Sequence, residues 1–400
     1  MPDGSTEPGP EGQRHGPQTA ADQLSGYLDH ASGAPLHPAA QEALLAGLAD
    51  GWADPARRYA AGRRARLLLD ASREAVAGVL GARPDEVSFP PSGTDAAQRA
   101  IAGVLRARRR VGNRFVTSAV EHSAVLHAGE AHEAAGGSTV LVGVDRGGRV
   151  DLEAFRSAVA DSGVALASLQ SLNHEVGTRQ PVLEVAEACR AAGVPMHVDA
   201  AISIGRELVD IGDWQVDLVS GSARKWGGPA GIGVLVVRRG VRYLPPAPQP
   251  GAENLLLALA AAASLVARAG ELVEEAAQVG GYVERLRAQL PLLIPDLQVH
   301  GDPDPAGRAP HILSVSCLYV DGESLLGELD RAGLAVNSGS SCTTDTLEPS
   351  HVLVAMGALT SGNLRISFGR GSTEEDVDRL LEVLPPAVRR LREEAGVSDL

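Results

Sequence analysis

The chain has almost no lysine. Of its 36 basic residues one, Lys225, is lysine and the rest are arginine. Arginine can fill every surface role open to a cation, but its guanidinium keeps its proton, whereas a desolvated lysine becomes a nucleophilic amine able to attack a carbonyl. The alternative is a lysine that survived by chance on a loop, and its flanks argue against that. An apolar run at 217–219 leads into small and hydroxyl residues, then Lys225, then a glycine-rich turn and a second apolar run at 232–237. This is the pattern of strand, tight loop, strand, with Ser222 three residues before the amine, where a phosphate can be held.

Other absences narrow the function. Positive charge is short by 14 (36 basic against 50 acidic residues, pI about 5.3), which argues against non-specific binding to nucleic acid or to an anionic membrane. The short basic run 106–110 reads as the solvated end of a helix. Cys189, Cys317 and Cys342 are odd in number, far apart and without CxxC spacing, so neither a disulfide framework nor a zinc site is expected. No unbroken apolar run approaches the roughly 20 residues needed to span a bilayer, so no membrane segment is expected. Residues 1–23 are rich in Pro, Gly, Glu and Gln and lack the basic start and apolar core of a signal peptide. They read as a disordered tail on a cytoplasmic protein. There is no internal repeat.

What remains has the size and pattern of an α/β protein. With 44% apolar content, 400 residues can bury a large core. Short apolar runs at 87–89, 115–117, 140–144, 166–169, 196–198 and 218–219 alternate with helical patterns such as 152–160 and 182–192, and a short strand is expected at Tyr27-Leu28-Asp29. Such alternation predicts a mainly parallel sheet with helices on both faces, over residues 24–254. A long Ala/Leu/Glu helix from 255 to about 290 then opens a smaller α+β domain over 255–400, with strands near 312–319 and 364–367 and helices at 322–332 and 374–394.

The polar groups that stand out fall at the carboxyl ends of those strands, where open parallel sheets bind ligands. Ser92-Gly93-Thr94 sits where a strand passes into a helix, an anion site or an ordinary helix cap. Asp199 ends a buried strand ahead of Ala200-Ala201, and a carboxylate there needs a cationic partner. An arginine would serve, as would a protonated pyridine nitrogen, the feature that makes a pyridoxal ring an electron sink. His122 is placed to lie flat on such a ring, although a lone histidine at a strand end is as readily structural. Asn173, after an apolar strand, is a donor to a ring oxygen or a substrate carboxylate. Arg365, alternating within a strand, suits bidentate capture of a carboxylate. Cys342 lies in a polar Ser/Gly/Thr loop rather than an apolar run, which suits a nucleophile that moves more than it suits a buried thiol.

In their order from about residue 26 to 390, these segments resemble the class V aminotransferase group of pyridoxal-phosphate (PLP) enzymes, and within it the cysteine desulfurases of the iron–sulfur-assembly type. The matching stretches are Tyr27-Leu28-Asp29, Ser92-Gly93-Thr94, Glu121-His122, Asn173-His174-Glu175-Val176-Gly177, His197-Val198-Asp199-Ala200-Ala201, Ser222-Ala223-Arg224-Lys225, Ser338-Gly339-Ser340-Ser341-Cys342 with Pro349-Ser350-His351, and the strand around Arg365. The resemblance implies PLP fold type I, a homodimer, and PLP joined to Lys225, with Asp199 on the pyridine nitrogen and His122 against the ring. It puts Gly93, Thr94, Ser222 and Arg224 at the phosphate. Asn173 and Arg365 hold the carboxylate of L-cysteine, and Cys342 takes the sulfur for an acceptor protein or small molecule.

Three departures from the family pattern stand out. Ile202 occupies the place of a glutamine that donates to the ring oxygen, and Arg224 that of a histidine. Residues 248–254 replace a longer segment that reaches the neighbouring subunit's phosphate, with Ala252 at its threonine position. These keep two alternatives open: another class V reaction, a C–S lyase or a specialised aminotransferase, and a sulfur-relay or scaffold subunit with little turnover.

Overall fold

The computed structural model describes residues 24–246, 253–339 and 349–397. In chain order its helices and strands are α1 (Pro38–Asp50), α2 (Ala60–Leu80), β1 (Val87–Ser88), α3 (Gly93–Arg108), β2 (Arg114–Ser118), α4 (Ser123–Ala134), β3 (Ser138–Val142), α5 (Leu152–Ala160), β4 (Val164–Gln170), α6 (Val182–Ala192), β5 (Met196–Asp199), α7 (Ile211–Trp214), β6 (Leu218–Ser222), β7 (Gly233–Val237), α8 (Leu255–Leu293), β8 (Leu297–Val299), β9 (Ile312–Cys317), α9 (Gly322–Arg331), α10 (His351–Met356), β10 (Asn363–Ser367) and α11 (Glu374–Glu394). The expected tail, residues 1–23, lies outside the described residues, as do Cys342 and Ala252.

Seven strands form one sheet in the order β1-β7-β6-β5-β4-β2-β3. The run β3-β2-β4-β5-β6 is parallel throughout, and β7 is antiparallel to both β6 and β1. Neighbouring strand residues feed opposite faces. Phe115, Leu218 and Leu235 pack under α3 and α4, while Val116, Val219, Val234 and Val236 join the larger core on the other side. Burial on both faces explains why these strands read as unbroken apolar runs.

The second sheet is antiparallel, in the order β10-β9-β8. Its core takes side chains from β9, β10, α9, α11 and the second half of α8, and also Leu28. The first half of α8, including Leu255, Ala258 and Leu265, belongs to the large core instead. The cores therefore divide inside α8 rather than at its start, and the stretch expected as a large-domain strand lies against the small core. Tyr27 bridges to Ala335 and Asp29 to Ser367, as isolated pairs rather than a strand. By length and composition α8 would qualify to cross a membrane, although its apolar stretches are interrupted by charged residues. In the fold it packs along α1, α2 and α11, and buries Arg268 midway in ion pairs with Glu271 and Glu275.

Candidate active site

A cavity of about 240 Å³ opens at the carboxyl ends of the parallel strands, lined by residues from Ser92-Gly93-Thr94, His122, Gln170, His174, Asp199, Ile202, Ser222, Arg224 and Lys225 among others. Each arrives there for a local reason. Lys225 ends a 3-10 turn, Ala223–Lys225, directly after β6 and is buried. The next residue, Trp226, is fully buried with its indole N–H donated to Ala261 O (3.2 Å), which anchors the turn to α8. Gly205, at φ +73°, lets the chain pass so close to Trp226 that a Cβ there would overlap the indole side chain.

Ser92 caps α3 by accepting the Asp95 N–H (3.0 Å), so the cap reading of this stretch is correct. The same cap presents Gly93 and Thr94, the first residues of a 16-residue helix, to the cavity, where free N-terminal amides and the helix dipole favour an anion. A Cβ at Gly93 would come within 2.7 Å of the Ser222 Cβ, so only glycine lets the helix start meet the end of β6. The exposed Arg224 adds a cation to the same cavity.

Asp199 ends β5 and is 8% exposed. Its Oδ1 accepts the Ala201 N–H (3.0 Å) and the Ser220 hydroxyl (3.4 Å). Burial raises its pKa, while Ala201 N–H, the charge on Lys225 and the Ser220 hydroxyl pull it back. His122 is the N-cap of α4, its Nδ1 accepting the Ala124 N–H (3.1 Å). Burial first, then the charge on Lys225, lowers its pKa to about 3, so the ring is neutral with its proton on Nε2.

The residues expected to hold a substrate carboxylate are arranged differently. Asn173 is buried in the turn after β4 and does not line the cavity. Its Oδ1 accepts the N–H groups of Glu175 (2.9 Å) and Val176 (2.8 Å), and its Nδ2 donates to Val120 O (3.1 Å), which leaves one amide hydrogen for a ligand. Arg365 on β10 is 3% exposed and also lies outside the lining. Its Nη2 donates to Asp29 Oδ1 (2.8 Å) and Ser32 Oγ (2.6 Å) and its Nη1 to His174 O (2.9 Å), while Nε has no partner among the described residues. The guanidinium that the sequence assigns to a carboxylate ligand is here paired with a carboxylate of the chain.

Four residues were given no role from the sequence: His174, Glu121 and Glu175, which fall within the matching stretches, and Gln170, which does not. His174 lines the cavity edge-on to His122, ring centroids 5.1 Å apart at 72°, and burial lowers its pKa well below the usual value. Gln170, also in the wall, donates from Nε2 to Val120 O (2.5 Å). Glu121 is fully buried, accepting from Ser118 Oγ (2.6 Å) and Gln170 N (3.0 Å), with its pKa pushed up to about 8 by burial. Glu175 accepts from Ser350 Oγ (2.6 Å) and is pushed up to about 7 by burial. No apolar period or spacing marks any of them; only tertiary burial does. Ile202 packs with Ala31, Leu172, Ala309 and Ile312, so the place of the ring-oxygen donor is filled by an apolar contact between the two sheets' connections.

A phosphate cradle at a helix start, a buried carboxylate and a buried lysine therefore meet in one cavity, and the aminotransferase class-V family matches this chain over residues 26–255 and 254–380. The chain belongs to the class-V aminotransferases. This class-V chain is 37% identical to an IscS-like cysteine desulfurase of Mycobacterium tuberculosis, over 92% of the chain and 98% of that protein. It is 31% identical to the cysteine desulfurase IscS of Clostridium botulinum, over 92% and 95%. Of solved structures, a NifS-like protein superposes with a TM-score of 0.83 at 28% identity, covering 90% of this chain and 98% of that one. The doubly covered sheet and small antiparallel domain are those of PLP fold type I, and PLP is the family's cofactor.

Proposed function

We propose that this class-V chain is a PLP-dependent cysteine desulfurase, converting L-cysteine to L-alanine and passing the sulfur, as a persulfide on Cys342, to an acceptor protein or small molecule. The observation that carries the reading is the meeting of Lys225, Asp199, His122 and the α3 N-terminus in one cavity. The residues fit PLP. Gly93, Thr94, Ser222 and Arg224 offer donors and positive charge to its phosphate, and the buried Asp199 carboxylate calls for the cation that a protonated pyridine nitrogen provides.

Bound there, the ring supplies an electron sink for the charge left on the substrate's α-carbon. Lys225 joins the cofactor at rest and, as a free amine, takes the α-proton. Asp199 keeps the ring nitrogen's proton in place, and His122, neutral with Nε2–H, exchanges protons on the cavity side. Asn173 offers its remaining amide hydrogen, and Arg365 its guanidinium, to the substrate carboxylate. The Cys342 thiolate attacks the substrate sulfur: an S–S bond forms, the C–S bond breaks, and its electron pair stays on the β-carbon, which takes a proton, while Lys225 returns the α-proton to the α-carbon to give alanine. Support for placing Cys342 here comes from the chain on either side of it. Ser350 donates to Glu175 and Gly339 packs against the same carboxyl, next to His174 in the cavity wall. We propose that the enzyme acts as a homodimer, supported by the exposed apolar side chains Leu45, Leu48, Trp52 and Leu67 on and between α1 and α2.

The test is product analysis on the purified protein given PLP, L-cysteine and a thiol reductant. Equal alanine and sulfide are expected, whereas pyruvate in place of alanine would make the enzyme a C–S lyase. Cys342→Ser should bind PLP but form no persulfide; persulfide at wild-type level would remove Cys342 from the mechanism.

A further inference from the structure

Beneath Asp199 lies a line of buried polar groups that no step above uses. His197 is two residues earlier on β5, and its ring bridges the two neighbouring strands. Nδ1 is 2.8 Å from Ser168 Oγ on β4, and Nε2 is 3.0 Å from Ser220 Oγ on β6. The Ser220 hydroxyl in turn reaches Asp199 Oδ1 at 3.4 Å. The strand register makes this possible, since Ser168 is paired with His197 and Asp199 with Ser220. Ser168, His197 and Ser220 are all fully buried.

The direction of every bond follows from its last link. An ionised carboxylate only accepts, so Ser220 gives its one hydroxyl hydrogen to Asp199 and must accept from His197. His197 therefore carries its proton on Nε2, and its Nδ1 must accept the hydroxyl hydrogen of Ser168. Burial keeps the ring neutral, with a pKa of about 3, so it does not offer two donors. Had Asp199 been protonated, the line could run the other way, with Ser168 accepting. One buried serine three links away thus reports on, and biases, the state of the carboxylate.

We propose that Ser168, His197 and Ser220 form a one-way hydrogen-bond relay that keeps Asp199 ionised and fixed through Oδ1, making all three positioning residues for the cofactor's ring nitrogen. This rests on the reading of the cavity as a PLP site. Outside the relay, the groups that act on Asp199 are the Ala201 N–H, Lys225 and the buried Glu121, and His122 lines the same cavity. The variants below leave these in place.

The experiment uses the full chain, with and without PLP. In ¹⁵N spectra, His197 should show the neutral Nε2–H form from pH 6 to 8 even without cofactor; an Nδ1–H ring would overturn the relay. In the PLP-loaded protein without substrate, Ser168→Ala should move the pH midpoint of the cofactor's visible band by about half a pH unit or more and weaken PLP binding several-fold. It should lower kcat while leaving KM for L-cysteine unchanged. Ser220→Ala should act in the same direction and more strongly, and Ser168→Thr, which keeps the hydroxyl, should restore the wild-type midpoint. An unmoved midpoint in both alanine variants, or equal effects of Ser168→Ala and Ser168→Thr, would reduce the line to packing. A normal PLP band and normal alanine production with an Nδ1–H ring would sink the relay and leave the desulfurase reading intact. A wild-type chain that takes up no PLP would sink both.

Discussion

Asp199 draws its side-chain hydrogen bonds from Ala201 and Ser220, no more than 21 residues away along the chain, whereas Arg365 draws its own from His174, Ser32 and Asp29, up to 336 residues away. The floor of the cavity is set by adjacent strands of one sheet and is in place once that sheet forms. The proposed substrate side exists only when the small core, the segment around Asp29 and the turn after β4 have come together. Local pairing gives the floor rigidity; the substrate side holds its charge in a pair that a ligand's carboxylate can replace.

The strongest way to test this contrast is to break the floor. Asp199→Asn should keep the fold but lose the charge facing the cofactor, lowering kcat on the order of 10²-fold or more and shifting the visible band of the PLP-loaded protein. A variant with the normal band and near-normal turnover would show that the floor carries no electrostatic role. Next comes the junction at Glu175. A Cβ at Gly339 would overlap the Glu175 carboxyl, so Gly339→Ala should cut persulfide formation sharply while the cofactor band stays as it was. Glu175→Ala in the same chain should relieve the overlap, giving a coupling of about 1–3 kcal/mol in a thermal-unfolding cycle; additive losses would mean the two do not meet.

Arg365→Lys sharpens the comparison from the other side. A single ammonium cannot serve Asp29, Ser32 and His174 O together, so KM for L-cysteine should rise about tenfold with the band unchanged. A changed band with an unchanged KM would place the arginine at the cofactor instead. A last effect is expected on stability against pH. Burial raises Glu121 from 4.5 to about 8, so the folded state binds a proton that the unfolded chain has released. The stability linked to that proton is fully present below pH 4.5 and is lost as pH rises through about 8. Glu121→Gln should lose less stability than the wild type between pH 5 and 8 in denaturant titrations; parallel curves would mean that Glu121 is ionised throughout.

The same contrast explains what could be read from the sequence. Lys225, Asp199, His122 and Ser92-Gly93-Thr94 each follow a short apolar run, so the strand and its polar end are legible together, and helices such as α5, α6 and α11 fall on their expected residues. Asn173 and Arg365 could be named but not placed, because their partners sit in distant segments. His174, Glu175, Glu121 and Gln170 could not be given roles, since a polar residue at a strand end looks the same exposed or buried. The three-residue β8 and six-residue α10 are too short to show a period. Leu28 joined the small core for a reason no local pattern holds: its backbone bonds to Ala335 and Ser367.

At about 1.5 Å per residue the 39 residues of α8 make a rod of roughly 58 Å, anchored in one core by its first half and in the other by its second. Where it leaves the first core, Glu271 pairs with His37 and Glu275 with Arg206, and Arg268 holds both glutamates. The beam carries its proline, Pro291, in its last turn, away from the boundary between the cores. One continuous helix crosses the boundary between the two cores, so a load on either core is carried to the other along the beam. Trp226 ties the lysine turn to the first half of that same beam through Ala261, so the turn and the small core share one support.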